Sequence, residues 1–132
     1  VWDFDLTLGN CGYFDGSVGN GPEGFWIKDF TSGCWRGENW FNRMMKDPAF
    51  TAKLKTRWNE LMPELATVTE FIDDQALILD KAQERNFKKW NIAVSVDWVN
   101  FPSRGSYEKE VDYLRNFYKK RLEWLDKEIN RL

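Results

Sequence analysis

Histidine is missing from this sequence altogether. Its absence removes Ser-His-Asp and Cys-His nucleophilic catalysis, and with them every His-ligated metal. Cysteine is nearly missing too. Cys11 and Cys34 are too few for a zinc site or a disulfide scaffold, and are open to one disulfide or to two free thiols. No apolar run approaches the roughly 20 residues of a membrane span, and no signal-peptide pattern stands at the start. A net charge of −2 with 30% charged residues suggests neither a nucleic-acid groove nor an anionic membrane as partner. Any chemistry carried here must therefore rest on carboxylates, amides, Lys or Arg.

Against these gaps stand two carboxylates in Trp2-Asp3-Phe4-Asp5-Leu6-Thr7-Leu8-Gly9-Asn10. Residues i and i+2 of a strand point to one side, so Asp3 and Asp5 can face one ligand while Trp2, Phe4 and Leu6 anchor the other side. Gly9 and Asn10 tolerate positive φ and can turn the chain away. Paired carboxylates suit a hard cation such as Mg²⁺, which leaves coordination sites for phosphate. The competing reading is a partly buried strand end with two solvated acids.

At 132 residues the chain is a single unit with room for a sizeable core. It opens at Val1 directly on this motif and without Met, so it reads as a piece of a longer protein, with any address information expected upstream. Residues 9–37 hold eight of the nine glycines, which predicts a long glycine-rich loop. A short strand is expected at Gly24–Phe30. The rest, 38–132, reads as mainly α. Trp40, Phe41, Met44 and Met45 predict a short helix ending at Asp47-Pro48, with Asp47 then capping the next. Phe50, Leu54, Trp58 and Leu61 continue at helical spacing until Pro63, where a break is expected.

Thr67 and Glu70 have the spacing of a capping box, opening a long helix with Phe71, Ile72, Ala76, Leu79 and Ala82 that fades near Trp90. Ile92, Val94, Val96 and Trp98 alternate with period two, as a strand or as an extended segment lying over the helices. Ser106 caps a last helix of about 26 residues. Its apolar seam runs through Tyr107, Val111, Leu114, Tyr118, Leu122, Leu125, Ile129 and Leu132, and is expected to pack on the two preceding helices rather than form a free coiled coil. The fold expected is thus mainly α, with four to five helices, a short N-terminal strand and a long glycine-rich loop.

Taken in order, several segments resemble the C-terminal part of the CotH family, the atypical protein kinases of bacterial spore coats. The N-terminal carboxylate motif carries the likeness, together with Trp40-Phe41, Asp47-Pro48-Ala49-Phe50 with Leu54, Arg57-Trp58 and Glu60-Leu61. Arg85-Asn86-Phe87 with Trp90, Ser106-Tyr107-Glu108, Glu110-Val111-Asp112-Tyr113-Leu114, Arg121-Leu122 and Trp124-Leu125 extend it over nearly the whole chain. The resemblance implies part of the helical lobe of a kinase-like fold, with 1–37 as metal-binding segment and loop. It implies ATP and Mg²⁺ as cofactors and a Ser or Thr of a spore-coat or cell-surface protein as acceptor. The metal-binding role falls on Asp3 or Asp5, with Asp3 the first candidate, and Asn10 is a candidate contact near the phosphates. A glycine-rich phosphate loop, a nucleotide-pairing Lys and a catalytic base have no counterparts here, and Lys28 and Arg36 sit in no motif that replaces them. The stretch is accordingly expected to be inactive alone and to self-associate through apolar surface.

A rival reading from another class is a non-catalytic binding or structural module that recognises glycan or protein through aromatics of the loop. Trp26 and Trp35 would be its platforms. Trp58, Trp90 and Trp124 fall on or beside helical stripes and are expected in the core. Arg57 is a candidate anchor for the metal segment or a plain surface ion pair. Arg85 and Asn86 are candidates for the active-site loop or for a solvated helix end. Asp73 and Asp74 diverge by about 100° on a helix and are expected to be solvated.

Overall fold

The computed structural model describes residues 7–10, 21–25, 39–90 and 103–132. Within them lie four helices and no strand: α1 (Trp40–Met44), α2 (Pro48–Ala66), α3 (Val68–Lys89) and α4 (Tyr107–Arg131). The mainly α expectation holds. The short N-terminal strand expected at the Asp3/Asp5 motif, the alternation at Ile92–Trp98, and Gly24–Phe30 beyond Phe25 all lie outside the described residues.

The helix starts follow their capping residues. Asn39 Oδ1 accepts from the Asn42 amide at 2.9 Å to open α1. Asp47 accepts from the Ala49 amide at 2.8 Å, and Pro48 takes N1, where its missing N–H costs nothing. Ser106 accepts from the Lys109 amide at 3.3 Å to open α4, with Glu108 and Glu110 in the first turn of its dipole.

Two expectations fail between α2 and α3. The break at Pro63 does not occur, and α2 runs through it to Ala66. A proline inside a helix costs about 3 kcal/mol, but α2 is clamped to α4 on both sides of this one. Trp58 Nε1 donates to Asp126 at 2.9 Å before it, and the Tyr118 hydroxyl donates to the Leu65 carbonyl at 2.8 Å after it. The capping box at Thr67 is also absent. Thr67 is itself in the right-handed helical region (φ −77, ψ −11), and its hydroxyl donates back to the Glu64 carbonyl at 2.8 Å. It therefore closes α2 and opens α3 as a one-residue joint, leaving no extended residue from which a hydroxyl could cap forward.

α4 is the centre of the molecule, packing against both α2 and α3, as its seam predicts. Asn59 of α2 donates to Asn130 at 3.0 Å, and the Tyr107 hydroxyl donates to the Ala76 carbonyl of α3 at 3.1 Å. Arg115 reaches Asp73 of α3 and its own neighbour Asp112, and these hydrogen bonds hold its charged form in place. The core is thin. Among the described large apolar side chains only Phe117 and Ile129 are buried, at 5% and 4% exposure. The predicted α3 stripe splits, with Ile72 and Ala76 half-buried but Phe71 and Leu79 exposed, and Leu132 at the end of the α4 seam is exposed as well.

Candidate functional site

α4 has a second stripe that the apolar seam does not predict. Tyr113, Phe117, Arg121 and Trp124 follow one another at spacings of four, four and three, which gathers them on one side of the helix. That stripe holds two pieces of the N-terminal region.

The first piece is the turn Thr7–Asn10, directly after the motif bearing Asp3 and Asp5. The Asn10 amide closes it on the Thr7 carbonyl at 3.3 Å. Leu8 and Gly9 have φ of +53° and +86°, the pattern of a type I′ turn. Leu8 in the left-handed region carries a cost of about 1–2 kcal/mol, which persists only where surrounding contacts over-determine the backbone. Those contacts come from α4. The Tyr113 hydroxyl donates to the Gly9 carbonyl at 3.1 Å, and Gly9 lies buried against Phe117. A Cβ on Gly9 would fall 2.5 Å from Phe117 Cδ2 and 2.6 Å from the Tyr113 hydroxyl. The backbone approaches the rings closely because this residue has no side chain.

Tyr113 is itself held on its other face. The Arg104 guanidinium stacks 3.3 Å from its ring centroid and donates to Glu110 at 2.8 Å, while the Arg104 amide donates to the same carboxylate at 2.6 Å. Glu110, Arg104, Tyr113 and Gly9 thus form one chain of contacts from the start of α4 to the turn.

The second piece is residues 21–25. Arg121 donates to the carbonyls of Pro22 and Gly24 at 2.9 and 2.6 Å, and its burial works against its charge, lowering its pKa. Phe25 meets Trp124 edge-on at 4.9 Å, with Arg121 5.2 Å from the Trp124 ring. The two described pieces of the glycine-rich region are therefore seated on one helix face.

Asp3 and Asp5 themselves lie outside the described residues, as do Trp26, Lys28, Trp35, Arg36 and both cysteines. Asn10 is half-buried at the end of the turn. Among the described residues no group of three or more His, Cys, Asp or Glu side chains is placed to hold a metal. No helix of the described residues is long and apolar enough to cross a membrane.

Other candidates resolve into plain roles. Arg57 pairs with Glu60 at 3.1 Å on the open surface of α2, its one ion pair among the described residues. Arg85 and Asn86 are exposed on α3. Asp74 is solvated as expected, and Asp73, its side chain half exposed, also accepts from Arg115. Trp58 and Trp124 are packed against other elements. Trp90, expected in the core, is 57% exposed with Lys89 5.0 Å from its ring, because α3 ends at Lys89 and Trp90 is already extended at the C-cap. An open groove of about 400 Å³ lies between α3 and α4, lined by Ala76, Asp80, Tyr107 and Val111 and, at its open edge next to the outer side of α3, by the largely exposed Leu77.

The family model described as CotH kinase protein matches residues 1–125. The chain belongs to the CotH family. The match takes in the acid-bearing motif, the turn that follows it and the α4 stripe to which the turn is fastened. No curated protein and no solved structure matches the chain.

Proposed function

We propose that this CotH-family chain is the C-terminal part of an atypical protein kinase. The kinase passes the γ-phosphate of ATP to Ser or Thr of surface or spore-coat proteins, and this stretch is inactive by itself. Asp3 and Asp5 form the metal-binding segment, with Asn10 near the phosphates. Two carboxylates and an amide are an all-oxygen donor set of the kind Mg²⁺ takes. When bound, Mg²⁺ neutralises charge across the β- and γ-phosphates, which is most of what phosphoryl transfer asks of a protein.

The observation that supports this reading best is the fastening of the turn. Residues 7–10 begin two positions after Asp5, and their backbone is held by Tyr113 and Phe117 with a strained residue at Leu8. A carboxylate pair that must meet a metal at fixed geometry needs such an anchor; a solvated strand end does not. Tyr113, Phe117 and, behind them, Arg104 act as positioning residues for the acids.

The test uses the longer protein that carries this stretch, with γ-labelled ATP, Mg²⁺ and a generic acceptor protein. Transfer should be lost in Asp3→Ala or Asp5→Ala with the fold intact, and sharply reduced in Tyr113→Phe. Transfer unchanged in both acid variants would remove the metal role from this motif. Calorimetric titration of the 132-residue chain with Mg²⁺ reads the same acids without activity.

Trp40 at 80% exposure and Trp90 support a second reading, a binding module that docks aromatics on glycan or protein. Glycan binding without metal, lost in Trp40→Ala and Trp90→Ala but not in Asp3→Ala, would favour it.

A further inference from the structure

The outer side of α3 carries a seam of its own. Phe71, Asp74, Ile78, Lys81, Arg85 and Lys88 follow spacings of three, four, three, four and three, which gathers them along one side of the helix. All six are exposed. Phe71 and Ile78 stand 61% and 70% open to solvent, and Leu77 beside them 77%. Elsewhere on the same helix Ile72, Ala76 and Phe87 are half-buried, so α3 shows apolar residues on two sides and covers one of them.

Charge divides this outer side in two. Glu70 and Asp74 stand in its N-terminal half, and Lys81, Arg85 and Lys88 in its C-terminal half. Lys81 is engaged with Glu84 at 2.9 Å. Glu70, Asp74, Arg85 and Lys88 have no ion pair among the described residues. The helix macrodipole by itself favours acids early and bases late, but it gives no reason for Phe71, Leu77 and Ile78 to stand in water.

We propose that this face is a homodimer interface: two copies of the chain pair through α3, antiparallel, about a two-fold axis near Ile78. An isologous contact needs a patch complementary to its own copy turned end for end. This patch has that property, apolar at the middle with opposite charge on either side. Phe71 and Arg85 each stand seven residues from Ile78, so the pairing sets the ring of one copy against the guanidinium of the other, a favourable cation–π partner. Glu70 and Asp74 of one copy come alongside the basic half of the other. A helix of 22 residues offers about 33 Å of length, and burying one face of it twice covers on the order of 1,000 Å². That is the low end of specific interfaces, so the dimer is weak and depends on protein concentration. Pairing is independent of whether the chain takes part in phosphate transfer.

Sedimentation velocity on the 132-residue chain from about 10 to 500 μM should show a dimer that weakens as salt rises. Two charge-reversed variants sharpen the test, each checked for helix content by circular dichroism. Arg85→Glu with Lys88→Glu leaves both halves acidic, and Glu70→Lys with Asp74→Lys leaves both halves basic. Each variant alone should be monomeric, and their equimolar mixture should form a heterodimer. Ile78→Glu should be monomeric under all these conditions. A monomeric parent chain at the top concentration would overturn the proposal and leave the face to another occupant. Variants that dimerise like the parent, or a mixture that stays monomeric, would overturn it equally.

Discussion

α3 and α4 are both long amphipathic helices with more than one marked side, and the molecule treats them differently. On α4 both stripes are occupied, one by α2 and α3, the other by the turn at 7–10 and the segment at 21–25. On α3 one side meets α4 and the other, with Phe71, Leu77 and Ile78, faces solvent. Helical periodicity tells how many sides of a helix are apolar, but not which of them finds a partner in the same chain. The α4 side that lies off the predicted seam is the one that carries the proposed metal segment.

The sharpest way to break this contrast is to empty the α4 stripe at its buried member. Phe117→Ala should cost about 3–5 kcal/mol, read by urea denaturation, since it removes a buried ring that contacts both the helix core and Gly9. A cost below about 1 kcal/mol would mean that the turn is not packed there, and that α4 resembles α3 after all.

Next in size is a pair of glycines with nearly equal backbone angles. Gly9 and Gly105 have φ of +86° and +88°, but an added Cβ at Gly9 strikes Phe117 and Tyr113, while at Gly105 it meets nothing within 4 Å. Both Ala variants carry the backbone cost of about 1–2 kcal/mol. Gly9→Ala should add about 1–3 kcal/mol of overpacking, or release the turn, with little change in helix content. Equal losses in the two variants would show that Gly9 is chosen for its backbone alone.

The helix-packing stripe of α4 is tested at Tyr118, whose hydroxyl is bound to the Leu65 carbonyl and whose pKa burial pushes upward. A folded-state pKa above the unfolded value of 10.0 means that the neutral phenol stabilises the fold fully below pH 10. That contribution is lost as pH rises through the folded value. Tyr118→Phe should cost about 1 kcal/mol at pH 7, and the gap between the two proteins in thermal midpoint should narrow above pH 10. A constant gap up to pH 11 would mean that the phenol does not titrate from a buried site.

The smallest effect is expected on the open side of the comparison. Leu77→Ser on α3 and Arg57→Ala on the α2 surface should each change the stability of the monomer by less than about 0.5 kcal/mol. A larger loss from Leu77→Ser at low protein concentration would show that α3 is covered within one chain.

Much of this architecture was legible because it is local. Asp47 and Pro48 open α2, Ser106 opens α4, and Trp90 ends α3, since caps and proline act on backbone groups within four residues of themselves. The seam from Tyr107 to Ile129 announced a helix packed on its neighbours for the same reason. Pro63 and Thr67 were misread because local preference there is outweighed by contacts with α4 and by the direct joint between α2 and α3. Trp90 was placed in the core because a stripe position says nothing of where the partner helix ends. The positioning residues Tyr113 and Phe117 left a trace in the sequence, the spacing that continues through Arg121 and Trp124. Nothing in that spacing names residues 7–10 as what they hold.

By itself, then, the sequence determined the helical class, the starts of α2 and α4, the family and the two carboxylates that carry its proposed chemistry. All of these depend on residue type and short spacing. Only the tertiary structure decided that the turn after those carboxylates rests on Tyr113 and Phe117, about a hundred residues away, and that one side of α3 is left outside. Contacts between distant parts of a chain follow from how whole faces fit together, and no single segment contains that information.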